Sequence, residues 1–183
     1  MLGFHPLAPS TIGTFLRTFT FGHVRQLDKV ISRVLANAWA AGAGPKPDEH
    51  LVIDLDSTVA EVYGKQKQSA SYGYTKVLGL HPLFATRAGT GEVMNARMRR
   101  GSAGSSRGVL RFIAEVLATI GRGVSGPVTV RADSAFWSWK LVDKLTAAGV
   151  GWSITVRLVP KVTKTIAAIP EDSWVTIDYT RSA

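Results

Sequence analysis

The stretches Leu51-Val-Ile-Asp-Leu-Asp-Ser-Thr58 and Pro127-Val-Thr-Val-Arg-Ala-Asp-Ser134 decide how this chain folds. Each opens on aliphatic and β-branched residues, the composition of a strand buried in a sheet. Each ends in an aspartate followed by a serine. A carboxylate at the end of a buried strand is costly unless it is paired or binds a cation. Period-two geometry puts Asp54 and Asp56 on one face of the first strand. Two strands of one sheet can then bring Asp56 and Asp133 to a common edge, and open sheets place ligands at the carboxyl ends of strands.

Between these stretches, Tyr74 to Ala88 reads as one strand, Gly89-Thr-Gly91 as a hairpin turn, and Glu92 to Arg100 as an antiparallel third strand. The loop Gly101 to Ser106 leads into a helix whose apolar stripe is Val109, Leu110, Phe112, Ile113, Val116, Leu117 and Ile120. After Asp133 a helix from Phe136 to Ala148 is stopped by Gly149, and Gly151 to Arg157 is a fifth strand. Ser173 to Tyr179 reads as a further strand, with no closing helix. The fold class is therefore α/β, a mixed sheet with flanking helices. The order strand, strand, strand, helix, strand, helix, strand is that of the RNase-H-like nuclease fold.

Upstream, residues 1–44 form a helical segment and residues 45–183 the main domain. Ser10 or Thr11 can cap a first helix bearing Ile12, Phe15, Leu16 and Phe19. Phe21-Gly22-His23 breaks the pattern, and Val24, Leu27, Val30, Ile31, Val34, Leu35 and Ala38 then recur at helical spacing. Two helices across a short turn suit either a DNA-reading helix-turn-helix or an αα-hairpin that only packs on the main domain. Ala41 to Pro47 is a linker by composition.

The balance of 45% apolar and 19% charged residues is that of a globular chain. Lys and Arg number 22 against 13 Asp and Glu, a formal charge of +9, which suits a polyanionic partner. With no cysteine, thiolate sites are excluded and any metal must sit on oxygen or histidine. No apolar stretch approaches a membrane span, so a cytoplasmic protein without a membrane partner is the default expectation.

Hard divalent cations such as Mg²⁺ or Mn²⁺ take one or two carboxylates plus water and substrate phosphates. Two such ions about 4 Å apart serve in-line phosphoryl displacement. Paired aspartates on a basic chain thus fit metal-dependent cutting of nucleic acid. The bland alternative is that Asp-Ser after a strand is an ordinary turn starter or helix cap. A third option is a phosphatase-like α/β enzyme with Asp54 or Asp56 as nucleophile.

The segment Ile53-Asp-Leu-Asp-Ser-Thr58, then Tyr72-Gly-Tyr-Thr-Lys76, Gly79-Leu-His-Pro-Leu83, Gly101-Ser-Ala-Gly-Ser105 and Val130-Arg-Ala-Asp-Ser134 resembles the catalytic core of bacterial insertion-sequence DDE transposases of the cut-and-paste type. The resemblance implies an RNase-H-like fold whose three acids bind Mg²⁺ (or Mn²⁺). Asp56 matches the first acid, before a small residue and Thr, and Asp133 the second; Asp54, on the face of Asp56 but one pleat deeper, is expected beside the site as a secondary metal ligand or orienting group. The third acid of such proteins is a glutamate on a helix well after the fifth strand. Here Glu171 lies in a turn-like stretch after Pro170 and is no match. The expectation is a truncated copy that is inactive alone, from a protein cleaving and joining double-stranded DNA at transposon ends and target, nucleoid-associated in the bacterial cytoplasm. The complete protein could act as a homodimer. A non-catalytic DNA-binding remnant is the alternative.

Lys65, Lys67, Lys76, Arg97, Arg99 and Arg100 are candidate phosphate contacts, or simply a solvated basic face. His81, between leucines and before Pro82, reads as a strand histidine bonded to backbone rather than a base. Trp137, Trp139 and Trp152 could stack on bases, with at least two of them expected in the core.

Overall fold

The computed structural model describes residues 8–64, 66–121 and 123–176. Its helices are α1 (Pro9–Arg17), α2 (Phe21–Ala38), α3 (Val109–Ile120), α4 (Trp139–Ala147) and α5 (Pro160–Ala167). Its strands are β1 (Leu51–Ser57), β2 (Ala60–Glu61), β3 (Ser71–Tyr72), β4 (Leu78–Leu80), β5 (Leu83–Arg87), β6 (Val93–Arg97), β7 (Val128–Ala132) and β8 (Gly151–Ile154).

Five strands form the main sheet in the order β6-β5-β1-β7-β8. β5 runs antiparallel to both β1 and β6, while β7 runs parallel to β1 and to β8. This is a mixed, RNase-H-like sheet: a three-strand meander extended on its other side by two helix-linked parallel strands. Alternation along β1 sends Leu51, Ile53 and Leu55 into the core, each at most 3% exposed. α3 covers that face with Val109, Phe112, Ile113, Val116 and Ile120, and α4 adds Leu141, Val142 and Leu145. The i, i+3, i+4, i+7 spacing of the α3 residues makes the single apolar stripe that such a face requires. The opposite face presents Val52, Asp54, Asp56, Thr129 and Arg131, none of them buried.

The stretch Tyr74 to Ala88 is not one strand. His81 and Pro82 divide it into β4, in a small sheet ordered β2-β4-β3, and β5 in the main sheet. Pro82 has no N–H for a ladder, so a break belongs there. The small sheet is pinned at Gly101, where a Cβ would overlap the carbonyl oxygens of Gly79 and Ser71.

The N-terminal helices start elsewhere than at their nearest polar residues. α1 is preceded by Ala8, with Pro9 supplying its preset φ in the first turn. α2 begins at Phe21, so Gly22 and His23 lie inside it. The break falls at Thr18 to Thr20, and the Thr20 amide donates to His23 Nδ1 at 3.0 Å. α2 docks on the main domain through Leu35, 7% exposed and part of the core. After β8 the chain forms helix α5, and Glu171–Ser173 is a single 3-10 turn rather than the start of a strand. Residues 174–176 form no strand either, and Ile177 to Tyr179, the end of the expected strand, lie outside the described residues. No helix among the described residues is long and apolar enough to cross a membrane.

An ion cluster ties α2, β6 and α3 together. Glu115 accepts from Arg25 at 2.9 Å, Arg97 at 2.7 Å and Arg111 at 3.2 Å, while Arg25 and Arg97 also reach Asp28 at 2.9 Å. Burial alone would raise the Glu115 pKa. The hydrogen bond from Arg25 and the charge of Arg97 outweigh it and hold the carboxyl below its ordinary value. A lowered folded pKa stabilises the fold above the unfolded value, about 4.3, and that contribution disappears as pH falls below it. Glu115→Gln should therefore cost about 1.5–3 kcal/mol at neutral pH, the range for hydrogen bonds to charged groups. The difference from wild type should shrink below about pH 4. Urea denaturation across a pH series reads this; an equal loss at every pH would rule out the electrostatic origin.

Candidate active site at the carboxyl edge of the sheet

The last register pair of β1 and β7 is Leu55 with Ala132. Asp56 and Asp133 are the next residue on each strand, and Asp133 is still extended (φ −79, ψ 176). Parallel neighbours in register share a face, with backbones about 4.8 Å apart. Both residues thus follow the last register pair at the carboxyl edge, on the face away from α3, and both are exposed.

Each is partly engaged by local backbone. Asp56 Oδ1 accepts the Ser57 amide at 2.7 Å, and Asp133 Oδ1 accepts the Ala135 amide at 2.9 Å, capping the 3-10 turn Ser134–Phe136. The capping role of Asp-Ser is therefore real at Asp133, and among the described residues the second oxygen of each carboxylate has no hydrogen-bond partner. Among the described residues no Lys or Arg pairs with Asp56 or Asp133. Two negative groups with a free oxygen each are a donor set suited to a hard divalent cation.

Asp54 sits differently. Register pairs it with Arg131, whose Nε and Nη2 meet its two oxygens at 2.7 and 2.8 Å. That hydrogen bond is also what raises the Arg131 pKa. Asp54 shares the face of Asp56 but has both oxygens occupied. The pairing had a sequence signal: Asp-x-Asp on β1 faces Arg-x-Asp on β7 once the strands are parallel and in register.

Behind the edge, Ser57 points to the core side and its Oγ lies 3.1 Å from His81 Nε2. His81 is fully buried, and its Nδ1 is 2.6 Å from the Ala103 carbonyl. A carbonyl only accepts, so Nδ1 donates to it, and Nε2 shares a hydrogen bond with the Ser57 hydroxyl. His81 is thus bonded to backbone as its setting requires, and it braces the residue next to Asp56.

The other candidates scatter. Lys65 lies outside the described residues. Lys67 and Lys76 are exposed on loops between the small strands, Lys76 with a positive φ of 58. Arg97 belongs to the ion cluster. Arg99 is a structural brace, donating to the carbonyls of His81, Gly104, Ser105 and Arg107; burial lowers its pKa. Arg100 is exposed. Of the tryptophans, Trp137 packs against the core, whereas Trp139 is 70% and Trp152 41% exposed, so only one takes the core place expected of two. No group of three or more acids and histidines able to hold a metal occurs among the described residues.

The chain matches the family described as Transposase DDE domain group 1 over residues 6–182. This protein belongs to that family. No curated protein matches it. Among solved structures it is similar to a piggyBac transposase synaptic complex with hairpin DNA, at 19% identity over 68% of this chain and 27% of that one, TM-score 0.41. It is also similar to the catalytic core domain of BIV integrase, at 10% identity over 63% and 61%, TM-score 0.35. A simian T-cell lymphotropic virus intasome in complex with a PP2A regulatory subunit, B56 gamma, matches at 13% identity over 69% and 45%, TM-score 0.39. The chain therefore spans less than two thirds of each of those chains.

Proposed function

We propose that Asp56 and Asp133 are two of the three metal-binding carboxylates of a DNA strand-cleaving site. The transposase DDE family to which the chain belongs is named for such a triad. The finer reading is an insertion-sequence transposase of bacterial type, acting on double-stranded DNA at transposon ends and target. The observation that supports the proposal is two exposed carboxylates that each follow the last register pair of two parallel strands, each with one oxygen unbonded among the described residues, on a chain of net charge +9. When bound there, Mg²⁺ or Mn²⁺ would activate the attacking hydroxyl and neutralise charge on the phosphate. The chain's own groups do the holding: the Ala135 and Ser57 amides fix the rotamers of the two aspartates, and Arg131 balances Asp54 beside them. With both oxygens on Arg131, Asp54 is better suited to positioning than to ligation or nucleophilic attack.

A second reading, a DNA-binding chain without cleavage chemistry, is favoured by the lack of a third acid beside the pair among the described residues. α5, the helix after β8, carries Lys161 and Lys164 and no carboxylate. The deciding experiment incubates the protein with supercoiled DNA and Mn²⁺. The expected result is DNA binding that Mn²⁺ strengthens only while Asp133 is present, without nicking, because two carboxylates hold the ions too loosely for the chemistry. Nicking abolished by Asp133→Ala would reveal a third acid within the chain and establish the cleavage reading directly. Absence of DNA binding would sink both readings.

A further inference from the structure

We infer a second phosphate site, distinct from the carboxylate pair: an arginine-walled cavity at the first turn of α3 that takes a backbone phosphate of a DNA strand. The inference rests on DNA being the partner and deepens that reading by naming where the strand is gripped.

The cavity measures about 430 Å³ and is lined by Arg97, Arg99, Arg100, Arg107 and Arg111, with Phe21 of α2 at its rim. Its one carboxylate, Glu115, is already bonded by Arg25, Arg97 and Arg111. Positive charge in the wall is therefore in excess. Arg100 and Arg107 are exposed, and their side chains make no hydrogen bond among the described residues. Two further donors, Arg97 Nε and Arg99 Nη2, are buried without a partner. These two atoms are shielded from solvent, so the groups open to a ligand are the exposed guanidiniums of Arg100 and Arg107.

The helix adds to this charge. α3 starts after Gly108 (φ 79), with no side-chain cap and no acidic residue in its first turn. Val109 and Phe112 donate to the carbonyls of Ser106 and Gly108, while the amides of Leu110 and Arg111 have no partner among the described residues. Free amides at a helix start attract anions. Here they open on the same space as the arginines, because Gly108, Arg111 and Phe112 form part of its wall.

Position favours a DNA strand over a free anion. Ser57, the neighbour of Asp56, pairs with Leu83, and Leu83 pairs with Arg97. Leu83 and Arg97 both line the cavity, so it sits at the carboxyl edge of the sheet, around the corner from Asp56. The space exceeds one phosphate group, and Phe21, 66% exposed, offers an apolar surface to a sugar or base. A strand with one phosphate at the carboxylates can place a flanking phosphate here.

The test is fluorescence anisotropy of a short duplex oligonucleotide, in EDTA, against wild type and Arg100→Gln/Arg107→Gln over a salt series. Neither side chain is buried or bonded, so folding should survive. The double variant should bind several-fold more weakly at low salt, and the slope of log K against log salt should become shallower by about 0.9 for each phosphate no longer neutralised. A charge-matched Lys161→Gln/Lys164→Gln control on α5 should change the slope less. A slope equal to wild type, or a change no larger than the control's, overturns the site while leaving DNA binding intact. If inorganic phosphate raises the melting temperature of wild type but not of the double variant, while their slopes agree, the cavity holds free anions and the DNA assignment is wrong. If wild type binds no DNA, the partner reading fails along with the site. Failure of the metal reading shows separately, as wild-type DNA binding that Mn²⁺ leaves unchanged or strengthens no more than it does for Asp133→Ala.

Discussion

Asp133→Asn should weaken Mn²⁺ binding by at least about tenfold, since losing even an outer partner of a metal ligand costs about that much. Asparagine keeps the cap, because its side-chain oxygen can still accept the Ala135 amide, so the loss isolates the charge. Asp56→Asn should match it, as each residue supplies one free oxygen to a common edge. Asp54→Asn should cost much less. Both Asp54 oxygens are held by Arg131, and its removal mainly leaves a positive charge near the site. Electron paramagnetic resonance of free Mn²⁺ measures all three. If Asp54→Asn proves the most damaging, the first acid has been assigned to the wrong aspartate. If none of the three changes affinity, the pair are turn caps and nothing more.

How much of this was legible in the sequence depends on how each residue is held. β1 and β7 were readable because Leu51, Ile53, Leu55 and Val130 are fully committed to the core and leave an aliphatic signature. That Asp56 and Asp133 end two parallel neighbouring strands was legible from the same pattern. The arginines were not readable as individuals. Arg97, Arg99 and Arg100 lie within four residues of one another, yet one joins an ion cluster, one ties down four carbonyls and one is exposed, its side chain unbonded among the described residues. Charge in a sequence says nothing about which acceptors fold back onto it. Arg107 and Arg111 became visible as part of a cavity only when α3 was placed against β6.

α5 escaped notice for a different reason. Pro160-Lys-Val-Thr-Lys-Thr-Ile-Ala167 is rich in β-branched residues, which favour strands, and the helix buries none of its side chains. Its start is set by Pro160 in the first turn, a local signal outweighed by composition. Misplaced helix starts at α1 and α2 have the same origin. Proline at the first turn, and a histidine accepting the Thr20 amide, took the roles expected of Ser10, Thr11 or Gly22.

Phe136→Ala should be the most destabilising single change near the site, costing about 3–5 kcal/mol as other buried aromatic truncations do. Phe136 is fully buried and closes the 3-10 turn that Asp133 caps, with its amide donating to the Asp133 carbonyl at 3.2 Å. Its ring belongs to the core cluster with Leu141 and Leu145 of α4, so it fastens the turn to the sheet's covered side while Asp133 faces the open one. Removing the ring should lower stability and loosen the turn together. Phe136→Leu fills most of the volume and should cost less than about 1.5 kcal/mol, with Mn²⁺ affinity near wild type. Urea denaturation followed by tryptophan fluorescence measures the first effect, and Mn²⁺ titration of the folded fraction the second. A loss under about 1 kcal/mol for Phe136→Ala would be the size of an average substitution and would show that the ring does not anchor the turn. A large loss of stability with unchanged Mn²⁺ affinity would show that the Ala135 amide alone is enough to aim Asp133.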